Sequence, residues 1–308
     1  MKHIKGIATL LLAMSILTVV SIVPALACGT FNSPFSVFFA KEFERIAPEY
    51  SFELITHFQY CESRVTVANI EQAIAEGNDA IFINPMDLWA ILPSLEKAKE
   101  AGLVVGIFSS ELPPEYRHLR DFWVGSDDFE GGKQAGEFVV AAFPNGANFV
   151  EVGGLDGHDA QIQRAAGFRE AITGSNIVEL GSQNVSTGWH AHEAMAIMEE
   201  FIATHGAQID IVFCHWDNGA AGVIEALHAA DMHDIRVIGI DGNSAGYQQV
   251  KDGRQWLSVG QSFANTAIKA LENATIILEG GTVAEDVHTI PWDMITLETI
   301  DGFPWPEW

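Results

Sequence analysis

The chain has 308 residues, 48% of them hydrophobic and 19% charged, which suits one large or two mid-sized domains and excludes a disordered chain. Lys and Arg number 16 against 41 Asp and Glu, so the formal charge is −25, and a field of that sign repels phosphate backbones and anionic headgroups; no nucleic-acid partner is expected. The 3 Cys are too few for a disulfide scaffold and lack zinc-site spacing, and neither a metal nor a cofactor is expected.

The elements follow in chain order. Lys2, His3 and Lys5 precede an apolar run from Ile7 to Ala27 that ends in the small-x-small triplet Ala25-Leu26-Ala27, the pattern of an export signal over residues 1–27. Cys28 directly after that triplet leaves three fates open: lipidation, plain secretion, or pairing with Cys61. Phe52–Ile55 reads as a strand, Val67–Ala75 as a helix with Ile70, Ala73 and Ile74 on one face, and Ala80–Ile83 as a strand stopped by Asn84-Pro85. A helix from Leu88 to Ala101 and a strand from Val104 to Phe108 come next. The rhythm resumes with a strand at Phe149–Val152, a helix from Gln161 to Ile172, a strand at Asp210–Phe213, a helix from Gly219 to Ala229 and a strand at Val237–Ile240. Short strands that are apolar throughout, joined by helices, predict parallel sheets covered on both faces. The pattern occurs twice, before and after about Asp128, so the expected fold is α/β with two doubly wound parallel-sheet lobes.

Ligands of open parallel sheets bind at the carboxyl ends of the strands. Asn84, Phe108, Ser109, Trp216, Asp241 and Gln261 all follow predicted strands, with Arg164 on the helix after another. Amides, carboxylates and a guanidinium grip hydroxyls in fixed directions, and aromatic rings such as Trp189 and Phe35 pack on the C–H faces of a sugar. That set suits a small neutral polyhydroxylated ligand. Plainer readings stand beside it: Arg164 as a surface cation, Asp241 as a turn carboxylate, Asp217 as a helix cap, Trp189 and Trp216 as core, Gln261 as a surface amide. His190, His192 and Glu193 mimic a metal cluster, but a two-residue spacing on a helix sends the rings in different directions. The chain contains no G-x-S-x-G, P-loop or H-E-x-x-H, and no enzyme activity is expected.

Seven segments carry a resemblance: Asn32-Ser33-Pro34-Phe35; Asp79 to Pro85; Val124 to Asp127 with Gly131, Gly132 and Gly136; Gln163 to Phe168; Val212 to Asp217; Ile238 to Gly242; and Val259-Gly260-Gln261. In this order, from about Thr30 to Gly280, they resemble the periplasmic sugar-binding proteins of the ribose-binding type, the solute receptors of ABC importers. The resemblance implies a three-stranded hinge, with lobes over residues 28–128 plus 262–290 and 129–261 plus 291–308. It further implies a monomer, exported to the periplasm or lipid-anchored outside the membrane, that delivers its ligand to a membrane permease. A receptor for a chemotaxis or kinase sensor fits the same sequence, and a DNA-binding regulator fits less well, since no basic helix-turn-helix precedes the lobes. By position, Arg164, Asp241, Gln261, Asn84, Phe35 and Trp189 match the family's ligand contacts. Phe108 with Ser109 or Ser110 stands where the family has an Asp-Arg pair, Ser33 and Ser36 replace an Asn and an aromatic, and Trp216 replaces an Asn. The loss of charge points away from ribose, toward a sugar alcohol, a deoxy sugar or another less polar ligand. The same match puts the first strand at about Pro24 to Gly29, across the predicted cleavage point.

Overall fold

The computed structural model describes residues 20–26, 34–55, 57–58, 63–85, 87–303 and 306; Cys28, Cys61, Ser33 and the remainder of the leading segment lie outside them. For 20–26, 34–38, 57–58 and 63 only the backbone is described. In chain order come β1 (Val20–Leu26), α1 (Pro34–Ile46), β2 (Phe52–Leu54), β3 (His57–Phe58), α2 (Ser63–Glu76), β4 (Ala80–Ile83), α3 (Leu88–Glu100), β5 (Val104–Phe108) and β6 (Phe122–Gly125). Then follow α4 (Asp128–Ala142), β7 (Ala147–Leu155), α5 (Asp159–Ile172), β8 (Ile177–Val185), α6 (Ala191–His205), β9 (Ile211–Cys214), α7 (Asp217–Ala229), β10 (Arg236–Asp241), α8 (Ser244–Lys251), β11 (Leu257–Gly260), α9 (Phe263–Leu278), β12 (Val287–Thr289) and β13 (Asp293–Ile295).

Two α/β sheets result. The first has the order β12-β6-β5-β4-β1-β2, with β3 also on β1; the second runs β13-β11-β10-β9-β7-β8. Their pairs are parallel except β11 with β13. The chain passes between the sheets three times: from β6 to α4 and β7, from β11 to α9, and from β12 to β13.

Both faces of each sheet are covered, which is why its strands read as unbroken apolar runs. On one face of the first sheet, Phe82, Phe108 and Phe122 meet Phe39 and Phe43 of α1 and Phe263 of α9; on the other, Ile81, Ile83, Val105 and Ile107 meet α2 and α3. In the second sheet Phe149 and Phe213 face Phe168 of α5, while Val150, Val152 and Val212 face α6 and α7. Cys214 is among these buried residues, and desolvation pushes its thiol up, out of the reactive range.

β1 is central to the first sheet: Ile22 to Ala25 pair with Ala80 to Ile83 on one side, and Val20 to Ile22 pair with Phe52 to Leu54 on the other. The strand therefore occupies Val20–Leu26 rather than 24–29, inside the run read as an export signal. The physical reason is shared chemistry, since an apolar segment with β-branched residues satisfies both a signal's hydrophobic stretch and a buried parallel strand. Among the described residues no helix is long and apolar enough to cross a membrane.

The helices α4 and α5 touch backbone to backbone, and glycines make this geometry available. A Cβ on Gly132 would stand 2.0 Å from the Arg164 carbonyl oxygen, and one on Gly167 would stand 1.9 Å from the Phe129 carbonyl oxygen. Gly167→Ala is therefore expected to lose about 1–3 kcal/mol in urea unfolding. Gly302→Ala, with nothing within 4 Å of its new Cβ, should stay within about 0.5 kcal/mol of the parent.

Candidate functional site

The α4–α5 contact delivers Asp128, the first residue of α4, to Arg164 in the middle of α5. Arg164 is 6% exposed. Its Nε donates to Asp128 Oδ1 at 2.7 Å and its Nη1 donates to the His215 carbonyl at 2.6 Å. The guanidinium carbon also lies 5.8 Å from the ring centroids of both Trp189 and Trp292, within cation–π range. A guanidinium this buried needs its donors satisfied, and one carboxylate, one carbonyl and two ring faces surround it.

Trp189 follows β8 and is half-buried. Its ring lies where a side chain at residue 154 would point, since a Cβ on Gly154 would come within 2.2 Å of it. His158 meets it edge to face at 5.5 Å, and Trp216 does so at 5.4 Å. Asp241 ends β10 and is half-buried; Gln261, just past β11, donates from Nε2 to its Oδ1 at 3.1 Å. Burial pushes the Asp241 carboxyl well above the usual carboxylate range, against the pull of the Arg164 charge and with the repulsion of Asp217. Arg164, Trp189, Asp241 and Gln261 thus gather from separate segments at the carboxyl ends of the second sheet.

The first sheet supplies less of the predicted set. Asn84 is buried at the end of β4, and Ser109 turns the chain after β5 at a φ of 61°, its carbonyl accepting from Trp123 Nε1 at 3.2 Å. Phe35 lies in the first turn of α1, with its side chain outside the described atoms. Phe108 departs from the expectation of a ligand contact. It is 1% exposed and stacks on Phe39 with centroids 4.4 Å apart, because the last residue of β5 points into the face covered by α1 and α9. Trp216 departs likewise: at 3% exposure it belongs to the core under α6 and α7 and backs Trp189 rather than forming the open wall. His190 and His192 stack with centroids 5.3 Å apart, contrary to the divergence expected of two helical residues, because His190 is the cap and lies outside the helix. No cluster able to hold a metal occurs among the described residues.

Sequence reasoning missed Asp128, His158 and Trp292. Trp292 lies between β12 and β13 and donates from Nε1 to the Asp127 carbonyl at 2.7 Å, joining two of the inter-sheet crossings beside Arg164. The available signal was glycine: Gly131 leaves room for Trp292, and Gly154 for Trp189.

Beneath Arg164 lies a second charged group. His215 is fully buried with its Nε2 2.8 Å from Glu151 Oε1, and Glu151 is reached in turn by Arg169, which also binds Glu179. Burial opposes ionisation of Glu151, yet His215 and Arg169 hold its carboxyl below the usual range. Burial likewise lowers His215, outweighing Glu151, and it lowers His158. The folded-state values of both His lie below the ordinary 6.5, so as pH falls through about 6.5 the unfolded chain takes up protons that the folded chain does not. Stability from these groups is complete above that value and is lost on acidification. The Asp241 and Asp217 carboxyls, pushed up to about 8 and about 6, act in the opposite direction over the same range, so the expected outcome is comparative: between about pH 7 and pH 5 the melting temperature of His215→Gln should gain on that of the parent in thermal melts.

Against this geometry, residues 25–282 match the family model described as periplasmic binding protein domain. The chain is 31% identical over 266 residues to a ribose import binding protein of Bacillus subtilis (strain 168), covering 85% of this chain and 83% of the relative. It is 32% identical over 213 residues to a galactofuranose-binding protein of Escherichia coli (strain K12), covering 66% of each. Among solved structures, an ABC transporter periplasmic solute binding protein from Actinobacillus succinogenes with bound D-allose superposes with a TM-score of 0.85 at 22% identity, over 92% of this chain and 100% of that one.

Proposed function

The chain belongs to the periplasmic binding protein family, and from that premise we propose that it is an extracytoplasmic receptor that captures a neutral, hydroxyl-rich solute between two lobes and hands it to the permease of an ABC importer. The observation that carries the reading is the convergence of Arg164, Asp241, Gln261 and Trp189 at one end of the second sheet.

The charges favour a neutral ligand. The one guanidinium at this site is already engaged by Asp128 and stands under the influence of Asp241, leaving no surplus cation for an anionic solute. Carboxylate, amide and guanidinium together accept from and donate to hydroxyls, and the Trp189 face takes the C–H side of a ring. Asn84, Ser109 and Phe35 are the first lobe's contributions. That lobe offers amide, hydroxyl and apolar groups where related receptors carry charge, which favours a sugar alcohol, a deoxy sugar or another less polar ligand over ribose. The lobes take residues 28–128 plus 262–290 and 129–261 plus 291–308, the protein acts as a monomer, and the solute leaves chemically unchanged. A ligand touching both lobes stabilises the closed arrangement over the open one, and that difference is the signal the permease reads.

The test is a thermal-shift screen with pentoses, hexoses and polyols, including D-ribose, D-allose, xylitol and myo-inositol. A true ligand at about 100 times its Kd should add about 2.7 kcal/mol of stability, saturably, and be recovered intact after incubation. Arg164→Ala should abolish the shift, because the half-buried Asp128 and Asp241 then lose their cation. A flat response to the whole panel, or conversion of the bound compound, overturns the proposal.

A further inference from the structure

We infer that Asp217 is the positioning residue for Asp241: its buried carboxylate clamps the strained turn that aims Asp241 into the site. Asp217 opens α7, directly after Trp216, and is fully buried. A carboxylate whose only task was to cap a helix would sit before the first turn and accept from the helix's own amides. Asp217 faces elsewhere. Its Oδ2 accepts from the backbone amides of Gly242 at 2.8 Å and Asn243 at 3.3 Å, and from Ser258 Oγ at 2.7 Å. Its Oδ1 accepts from Gln255 Nε2 at 2.7 Å. The donors come from the turn after β10, from β11 and from the residue two before it, so a single side chain on α7 ties the turn that follows Asp241 to the strand that leads to Gln261.

The turn needs such a tie. Asp241 has a φ of 131°, a region that residues with a Cβ rarely enter, and Gly242 follows at 73°. Backbone strain of this kind persists only where neighbours over-determine it. The two amides immediately after Asp241 both point at Asp217, and on the β11 side the amide of Gln261 donates to the Asp241 carbonyl at 2.9 Å. The space for the clamp is made by two further glycines: a Cβ on Gly239 would stand 2.1 Å from Asp217 Oδ1, and one on Gly246 would stand 2.1 Å from Oδ2. The cradle fits a carboxylate of Asp length and no larger group. Asp217 is too deep to meet a solute, so its effect on binding passes through Asp241.

This inference rests on Asp241 being a ligand contact, and the experiment separates the two claims. Asp217→Asn keeps the shape but replaces one of the two acceptor oxygens by a donor, so the side chain can no longer accept both from Gln255 and from the Gly242–Asn243–Ser258 side. The ligand-free readout is the three-bond coupling between the Asp241 amide proton and Hα, small at its present φ and large in an extended strand. In folded Asp217→Asn it should rise toward the extended value. With whichever sugar of the panel the parent binds, Kd should rise at least tenfold in Asp217→Asn, and the Asp217→Asn/Asp241→Asn pair should bind no more weakly than Asp241→Asn alone. An unchanged coupling in the folded variant, or losses that multiply in the double variant as for a merely structural residue, overturns the inference. If the parent binds none of the panel, a changed coupling still establishes the clamp while the functional reading fails. If Asp217→Asn does not fold, Ser258→Ala removes one hydroxyl from the same clamp. The Asp241 coupling must then move in the same direction, and its constancy overturns the inference.

Discussion

The site depends on a guanidinium taken almost entirely out of water. Burying Arg164 is costly unless every face of it is answered, and the fold answers with the Asp128 carboxylate, the His215 carbonyl and the rings of Trp189 and Trp292. Each partner comes from a different part of the chain, so the arrangement exists only when α4, α5, β8, β9 and the last crossing are all in place. The glycines at 132 and 167 are part of the same requirement, since side chains there would hold α4 and α5 apart and carry Asp128 out of reach. Helix packing and ligand chemistry are therefore the same constraint seen at two scales.

Around that cation the carboxylates divide their work according to burial. Asp128, partly exposed, neutralises it directly. Asp241 is half-buried at the end of β10, with Gln261 on one of its oxygens. Asp217 and Glu151 lie deeper and hold the backbone and side chains above them. A cluster can thus be rich in charge and leave little of it unanswered, provided that the charges face one another.

Much of this was legible in the sequence, for identifiable reasons. Buried parallel strands announce themselves as apolar runs, so β4, β5, β9 and β10 were located to within a residue or two, and their carboxyl ends supplied Asn84 and Asp241. Arg164 was readable from its place in a familiar string. What failed was side-chain direction at strand ends. Phe108 and Trp216 turn into the cores beside their sheets, and which side of the sheet a terminal residue faces depends on local twist that periodicity does not encode. Asp128 and Trp292 were invisible because their partners lie 36 and 165 residues away, respectively, in Arg164 and Asp127. Asp217 was read as a cap because Asp before a helix is ordinarily one; its real partners sit 25 to 41 residues later.

The strand order has a consequence for how the molecule comes into being. β12 is laid against β6, and β13 against β11, so each sheet receives its edge strand from the final stretch of the chain. Neither half is finished when its own contiguous segment has been made; both wait for residues beyond 286. A nascent chain emerging from a ribosome or a membrane channel would hold two incomplete sheets until its tail arrived, and the slow, long-range pairing that parallel strands demand would follow release.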